Sequence, residues 1–191
     1  MVKGVDIDKN TVINAQKKYG RGNLEFSRGR ADAIPFQDKF FDVVVSFETI
    51  EHHDKHQEML EEIKRVLKPD GILIISSPDK EFYSDIPGFD NKFHVKELYF
   101  LEFKMLIQSF FTNSLFLFQK AYNLNSIIAD ESIFKNTVVY NGNQNQVSKE
   151  TIEPLYNIAI ASDIQLPTMK TSVFDGNKSG WIFELAAYDG P

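Results

Sequence analysis

A chain of 191 residues can bury one sizeable core, with at most a small appendage, and is too short for two full domains. Its net charge of -6, without a long basic run, argues against nucleic acid as a partner. Cysteine is absent, which removes disulfides, thiolate metal sites and a cysteine nucleophile. No window is apolar enough for a signal peptide or a membrane span, so a soluble, cytoplasmic protein is expected.

In chain order, Val2 to Ile7 reads as a short strand, and a helix follows from about Lys9 to Tyr19 with Asp8 as its cap. Gly20 and Gly22 break that helix. Asn23 to Ser27 forms a second short strand, and Gly29 to Gln37 is a loop containing Asp32 and Pro35. Two continuous apolar runs come next, Phe41 to Phe47 and Gly71 to Ser76. Between them Met59, Leu60, Ile63, Val66 and Leu67 share one helical face.

This strand, helix and strand carry no polar alternation in the strands, which predicts burial on both faces and a mostly parallel α/β sheet. Ligands then sit at the carboxyl ends of the strands. Asp54 and Gln57 have the spacing of a capping box at the helix start, and Lys68 to Gly71 should end it. Pro78 to Phe93 is a long connection of the kind that forms binding loops. Val95 to Phe111 is expected to be helical, Ser114 to Ala121 and Leu155 to Ser162 to be strands, and the polar tract Asn141 to Gln146 to be loop. Trp181 to Tyr188 is a weaker strand candidate.

Several residues carry chemistry. Asp6 ends the first strand, where a carboxylate can accept from both hydroxyls of a ribose; Asp8 is better read as a cap. Asp32, beside Ala33, can accept from an exocyclic adenine amine, although an Asx turn is the plainer use. Glu48, Glu51, His52, His53 and His56 crowd the end of the Phe41 to Phe47 strand. A histidine at His52 could act as general base. The competing reading is a polar helix entrance with solvated histidines, preferred for His53 and His56. A metal held by His52 and His56 is disfavoured, because Asp54 as cap leaves His52 outside the helix, and no metal is expected. Tyr83 and His94 are candidates for the acceptor side, with His94 and Lys96 otherwise decorating the helix start.

Together these segments resemble the class I S-adenosylmethionine-dependent methyltransferases. GVDID resembles the acidic end of their second strand, GRADAIPF the adenine-contacting loop, FFDVVVSFETIEH the fourth strand and LKPDGILIISSP the fifth. NKFHVKELYFLEFKMLIQSFF and IAIASDIQLP are similar to methyltransferases of bacterial surface-polysaccharide clusters, some fused to glycosyltransferases. The resemblance covers about residues 2–165 and implies a Rossmann-like methyltransferase domain over 1–165, with 166–191 as a C-terminal extension.

It further implies S-adenosylmethionine as cofactor, with Asp6, Ile7, Asp32, Ala33, Phe47 and Glu48 binding it. His52 becomes the catalytic base at an acceptor hydroxyl, and Tyr83 and His94 the substrate contacts. The acceptor is expected to be a small molecule or glycan-linked, with a fused or associated glycosyltransferase as partner.

One departure stands out. The family's first strand and glycine-rich turn should precede Val2 and are not in the sequence, and Gly20 and Gly22 follow a helix instead. An amino-terminally truncated domain is therefore expected, with its activity an open question. The rival readings are a noncatalytic methyltransferase-like interaction module and, more weakly, a nicotinamide-dependent oxidoreductase, which shares the Asp6 device.

Overall fold

The structure, a computed structural model, describes residues 1–122, 125–143, 146–168 and 172–174. Its element order is β1 (Val2–Asp6), α1 (Lys9–Tyr19), β2 (Leu24–Arg28), β3 (Phe41–Ser46), α2 (His56–Val66), β4 (Leu67–Pro78), α3 (Phe100–Phe110), β5 (Asn113–Tyr122), β6 (Asn125–Asp130), α4 (Glu131–Asn136), β7 (Val138–Asn143), β8 (Gln146–Thr151), β9 (Tyr156–Ser162) and β10 (Ser172–Phe174). A six-stranded sheet has the order β10-β6-β5-β9-β4-β3, while β1-β2 and β7-β8 form separate pairs. The fold class is the expected Rossmann-like one, but the sheet is not mostly parallel as expected. Parallel pairing is confined to β1 with β2 and β3 with β4, and the other pairs are antiparallel because β5, β6, β9 and β10 pair through antiparallel ladders.

The spacing of Met59, Leu60, Ile63 and Val66 gives α2 one fully buried face. That face meets Leu73 and Ile75 of β4, together with Phe103 and Ile107 of α3, Phe116 of β5, and Ala159 and Ala161 of β9, in the main core. A smaller core gathers Phe118, Ala129, Phe134 and Ile152. In contrast to the expectation of double burial, Val43 and Val45 of β3 are 47% and 58% exposed. The cause is positional: β3 is the terminal strand of its sheet, and α2 covers only its other face.

Several boundaries differ from the sequence reading. The Asp54–Gln57 capping box does not form, since α2 starts at His56 with Lys55 as an N-cap that makes no side-chain bond. Lys68 to Gly71 lie within β4, yet the ladder is broken there: Phe41 pairs with Leu67, and pairing resumes at Val43 with Ile72. Gly71 suits this excursion, because a Cβ would lie 2.9 Å from Leu67 and 3.0 Å from the Lys68 carbonyl oxygen.

The helix expected from Val95 begins only at Phe100. Tertiary hydrogen bonds override helical propensity: the Val95 and Lys96 amides donate to the Glu51 carbonyl at 2.8 and 3.1 Å, and Lys80 N–H donates to the Leu98 carbonyl. Most of the tract Asn141–Gln146 belongs to β7 and β8 rather than to a loop. The strand expected over Trp181 to Tyr188 lies outside the described residues. Among the described residues no helix is long and apolar enough to cross a membrane.

Candidate functional site

At the carboxyl end of β1, the Asp6 carboxylate accepts from Asp8 N–H at 2.7 Å, and Asp8 in turn caps α1 by accepting from Thr11 N–H at 2.6 Å. The side chain of Asp6 is exposed, and Ile7 beside it is exposed as well. Ile7, Arg28, Gly29, Arg30, Ala33 and Pro35 line an open pocket of about 380 Å³. Gly29 is required for its shape, since a Cβ there would meet the Pro35 ring at 2.5 Å and Val5 at 2.9 Å.

Asp32, expected to accept from an adenine amine, already accepts bonds within the protein. Its oxygens take hydrogen bonds from Arg30 Nε and Nη2 at 2.7 and 2.8 Å and from Lys55 Nζ at 3.1 Å. Arg30 and then Lys55 hold the carboxyl well below the usual carboxylate range. Two cations thus compete with any adenine amine for this group. The loop itself is tied to α2, where Glu62 accepts from Ile34 N–H at 2.7 Å and Arg65 donates to the carbonyls of Ile34 and Phe36 at 2.9 and 2.8 Å.

A second group of candidate residues lies beyond β3. Phe47 is exposed, and Glu48 has φ 47°, a left-handed backbone that a non-glycine residue adopts only under constraint. The constraint is Ser76 of β4, whose hydroxyl accepts from Glu48 N–H at 3.0 Å and donates to the Glu48 carboxylate at 2.6 Å. Burial raises the pKa of Glu48. Ile50–His52 then form a single 3₁₀ turn.

His52 donates from Nδ1 to the Phe93 carbonyl at 2.9 Å, leaving its Nε2 3.7 Å from Oε1 of Glu51. Its ring stands edge-on to His94, with centroids 5.1 Å apart. His94 is stacked on Tyr83 at 5.3 Å and bonded through Nδ1 to Glu97 at 2.5 Å, and its Nε2 meets the Asn91 amide at 2.9 Å. The structure therefore brings His52, Tyr83 and His94 together.

His56 is buried, which corrects the reading of a solvated histidine there, while His53 is half-buried. His53 packs on Met59 Sδ, and the largely buried His56 bonds to the His53 carbonyl at 2.7 Å. Burial lowers both pKa values. Sequence reasoning missed Ser76, Asn91, Glu97 and Tyr156, and gave Glu51 no role. Glu51 is 1% exposed, neither carboxylate oxygen has a hydrogen-bond partner, and burial raises its pKa. Tyr156 on β9 is half-buried 6.0 Å from Tyr83, its pKa raised by burial and then by Glu48. The pairing of β9 with β4 could not be read from local sequence, so nothing announced Tyr156.

Residues 1–75 match the family model described as a methyltransferase domain. A probable S-adenosylmethionine-dependent methyltransferase of Mycolicibacterium smegmatis is 34% identical over 111 residues, covering 56% of this chain and 42% of that protein. A fatty-acid O-methyltransferase of the same organism is 29% identical over 87 residues, covering 46% and 31%. The chain thus spans less than half the length of these curated relatives. Among solved structures, a SAM-dependent methyltransferase of Thermotoga maritima, described as a possible histamine N-methyltransferase, has a TM-score of 0.58 at 16% identity, covering 86% of this chain and 73% of that one. A SAM-dependent methyltransferase of Methanosarcina mazei gives 0.52 at 14%, covering 85% and 82%. These two likenesses establish the fold.

Proposed function

We propose, from the match of residues 1–75 to a methyltransferase-domain family model and the likeness to a probable S-adenosylmethionine-dependent methyltransferase, that this chain takes part in methyl transfer to a hydroxyl oxygen of a small or glycan-linked acceptor. The family match implies S-adenosylmethionine as the cofactor. The residues fit it: Asp6 is an exposed carboxylate, bonded to Asp8 N–H, and directly precedes Ile7, which with Arg28, Ala33 and Pro35 lines the open pocket. That pairing suits a ribose beside a purine. Phe47 and Glu48, at the carboxyl end of β3, are assigned to the cofactor in this reading.

When bound, S-adenosylmethionine supplies a methyl group already activated on a sulfonium sulfur, so the chain's own task is alignment and proton removal. His52 is suited to the second. Its Nδ1–H is held by the Phe93 carbonyl, which leaves the Nε2 lone pair free to accept a proton from a hydroxyl. Tyr83 and His94, stacked and joined through Asn91, form a polar-edged aromatic wall against which a sugar ring or similar acceptor can lie. Exposed Phe89, packed on Tyr83, adds apolar surface to that wall; an associated or fused glycosyltransferase is the partner this reading assigns for a glycan-linked acceptor.

The observation that carries this reading is the convergence of His52, Tyr83 and His94 at the carboxyl end of β3. Its test is calorimetric titration of the chain and of Asp6→Ala with S-adenosylmethionine, followed by turnover on a panel of hydroxylated glycans and lipids. Asp6→Ala is expected to lose tenfold or more in affinity through its charged acceptor. Equal affinities for parent and variant would overturn the ribose assignment, and methylation of lipid but not glycan hydroxyls would overturn the acceptor class.

A further inference from the structure

The ligating atoms of Glu51, His52 and His94 all lie within 4.8 Å of one another. Each histidine is already oriented as a metal ligand is. His52 Nδ1–H is committed to the Phe93 carbonyl and His94 Nδ1 to the Glu97 carboxylate, so Nε2 is the ligating atom of each; that of His94 is held by the Asn91 amide at 2.9 Å. Histidines that bind metals almost always donate their second ring N–H to such a carbonyl or carboxylate, which fixes the tautomer and makes the ligand more basic.

The third group is a carboxylate with no other employment. Glu51 is 1% exposed and both of its oxygens lack hydrogen bonds, an arrangement that is costly for a charged group unless a cation compensates it. Its backbone carbonyl accepts from Val95 and Lys96, which pins the turn bearing Glu51 and His52 to the segment bearing His94. The ligands from the two segments are thereby held together in advance.

We infer that Glu51, His52 and His94 form a site for a divalent transition-metal cation of the zinc type. Two nitrogen and one carboxylate ligand, with the remaining position open, is the donor set of catalytic zinc sites. Ligand atoms bound to zinc at about 2.0–2.1 Å in tetrahedral geometry stand roughly 3.3 Å apart, close to the 3.7 Å between His52 Nε2 and Glu51 Oε1. Binding requires Asn91 to release Nε2 of His94, which disturbs an amide also bonded to the Tyr83 hydroxyl and to Phe93 N–H. The inference goes beyond methyl transfer and does not depend on it. Cation binding and proton acceptance at His52 draw on the same lone pair, so they exclude each other.

The experiment uses the whole chain, freed of metal by a chelator, titrated with Zn²⁺ in a calorimeter and with Co²⁺ under visible absorption. One ion per chain is expected, with the Co²⁺ ligand-field bands of a four- or five-coordinate site. Glu51→Gln and His94→Ala should each weaken binding tenfold or more, as should His52→Ala, an exposed position that tolerates change. Asp90→Asn, at an exposed acid nearby, should leave affinity unaltered. Absence of saturable Zn²⁺ binding overturns the inference, and so does binding that all three ligand variants retain. Neither failure touches S-adenosylmethionine binding, which is measured separately.

Discussion

Arg65→Met removes the clamp that fixes the pocket loop to α2. The guanidinium makes a two-pronged contact with Glu62, Nε to Oε1 and Nη2 to Oε2 at 2.7 Å each. It also donates to the carbonyls of Ile34 and Phe36 and to Asp38 at 2.8 Å. The Asp38 bond contributes little, because that side chain is 70% exposed and its attraction is screened.

The two carbonyl bonds and the Glu62 pair remain. Discounted for an arginine that is 31% exposed, they sum to about 2–3 kcal/mol. For a chain of this size that is a fall of roughly 4–12 °C in melting temperature, read by circular dichroism. Loosening of the loop should also accelerate amide exchange at Ile34, whose N–H rests on Glu62, and should weaken S-adenosylmethionine binding because Ala33 and Pro35 wall the pocket. A melting temperature within about 2 °C of the parent's, with Ile34 exchange unaltered, would refute the clamp.

Phe103→Ala empties a fully buried position beside Phe116 and is expected to cost about 3–5 kcal/mol, measured as a shift in urea midpoint. Asp79 is buried, bonded to Asn157 Nδ2 at 2.8 Å and to Glu81 N–H at 3.1 Å, and burial raises its pKa. The fold therefore holds its proton more tightly than the unfolded chain does. The stability this contributes is complete below the unfolded value of about 3.9 and is lost as pH rises through the higher folded value. Glu62 and Asp163, with lowered pKa values, act in the opposite sense and lose their contribution as pH falls. Asp79→Asn should cancel only the first slope, so its urea midpoint should gain on the parent's as pH rises from about 4 to 8. A gap independent of pH would sink this assignment.

The strand, helix and strand from Phe41 to Pro78 were legible from uninterrupted apolar runs and a single apolar face on α2, although the run in β3 did not mean burial on both faces. His52, Tyr83 and His94 were found as separate candidates, and their meeting was not readable. It depends on Val95 and Lys96 donating to Glu51, a contact across more than forty residues that also suppresses the first turn of the expected helix. Asp32 carried a different lesson. Its place in the loop was read correctly, but Lys55, which neutralises it, is contributed by another segment. The hairpin of β7 and β8 left no signal, since Asn and Gln fill its end where apolar alternation would have marked a strand.

Among the described residues neither the outer edge of β3 nor the free edge of β1 is paired, and Val43, Val45, Val2 and Val5 stand exposed on those strands. Unpaired edges of this kind template association with other extended chains. Mass action then enters any measurement on the protein: if edges pair between copies, apparent stability rises with concentration and reversibility falls with it. A dilution series therefore belongs beside each melting curve. A short charged or proline substitution at Val45, which faces solvent, is the chemical means of holding the chain in its monomeric regime.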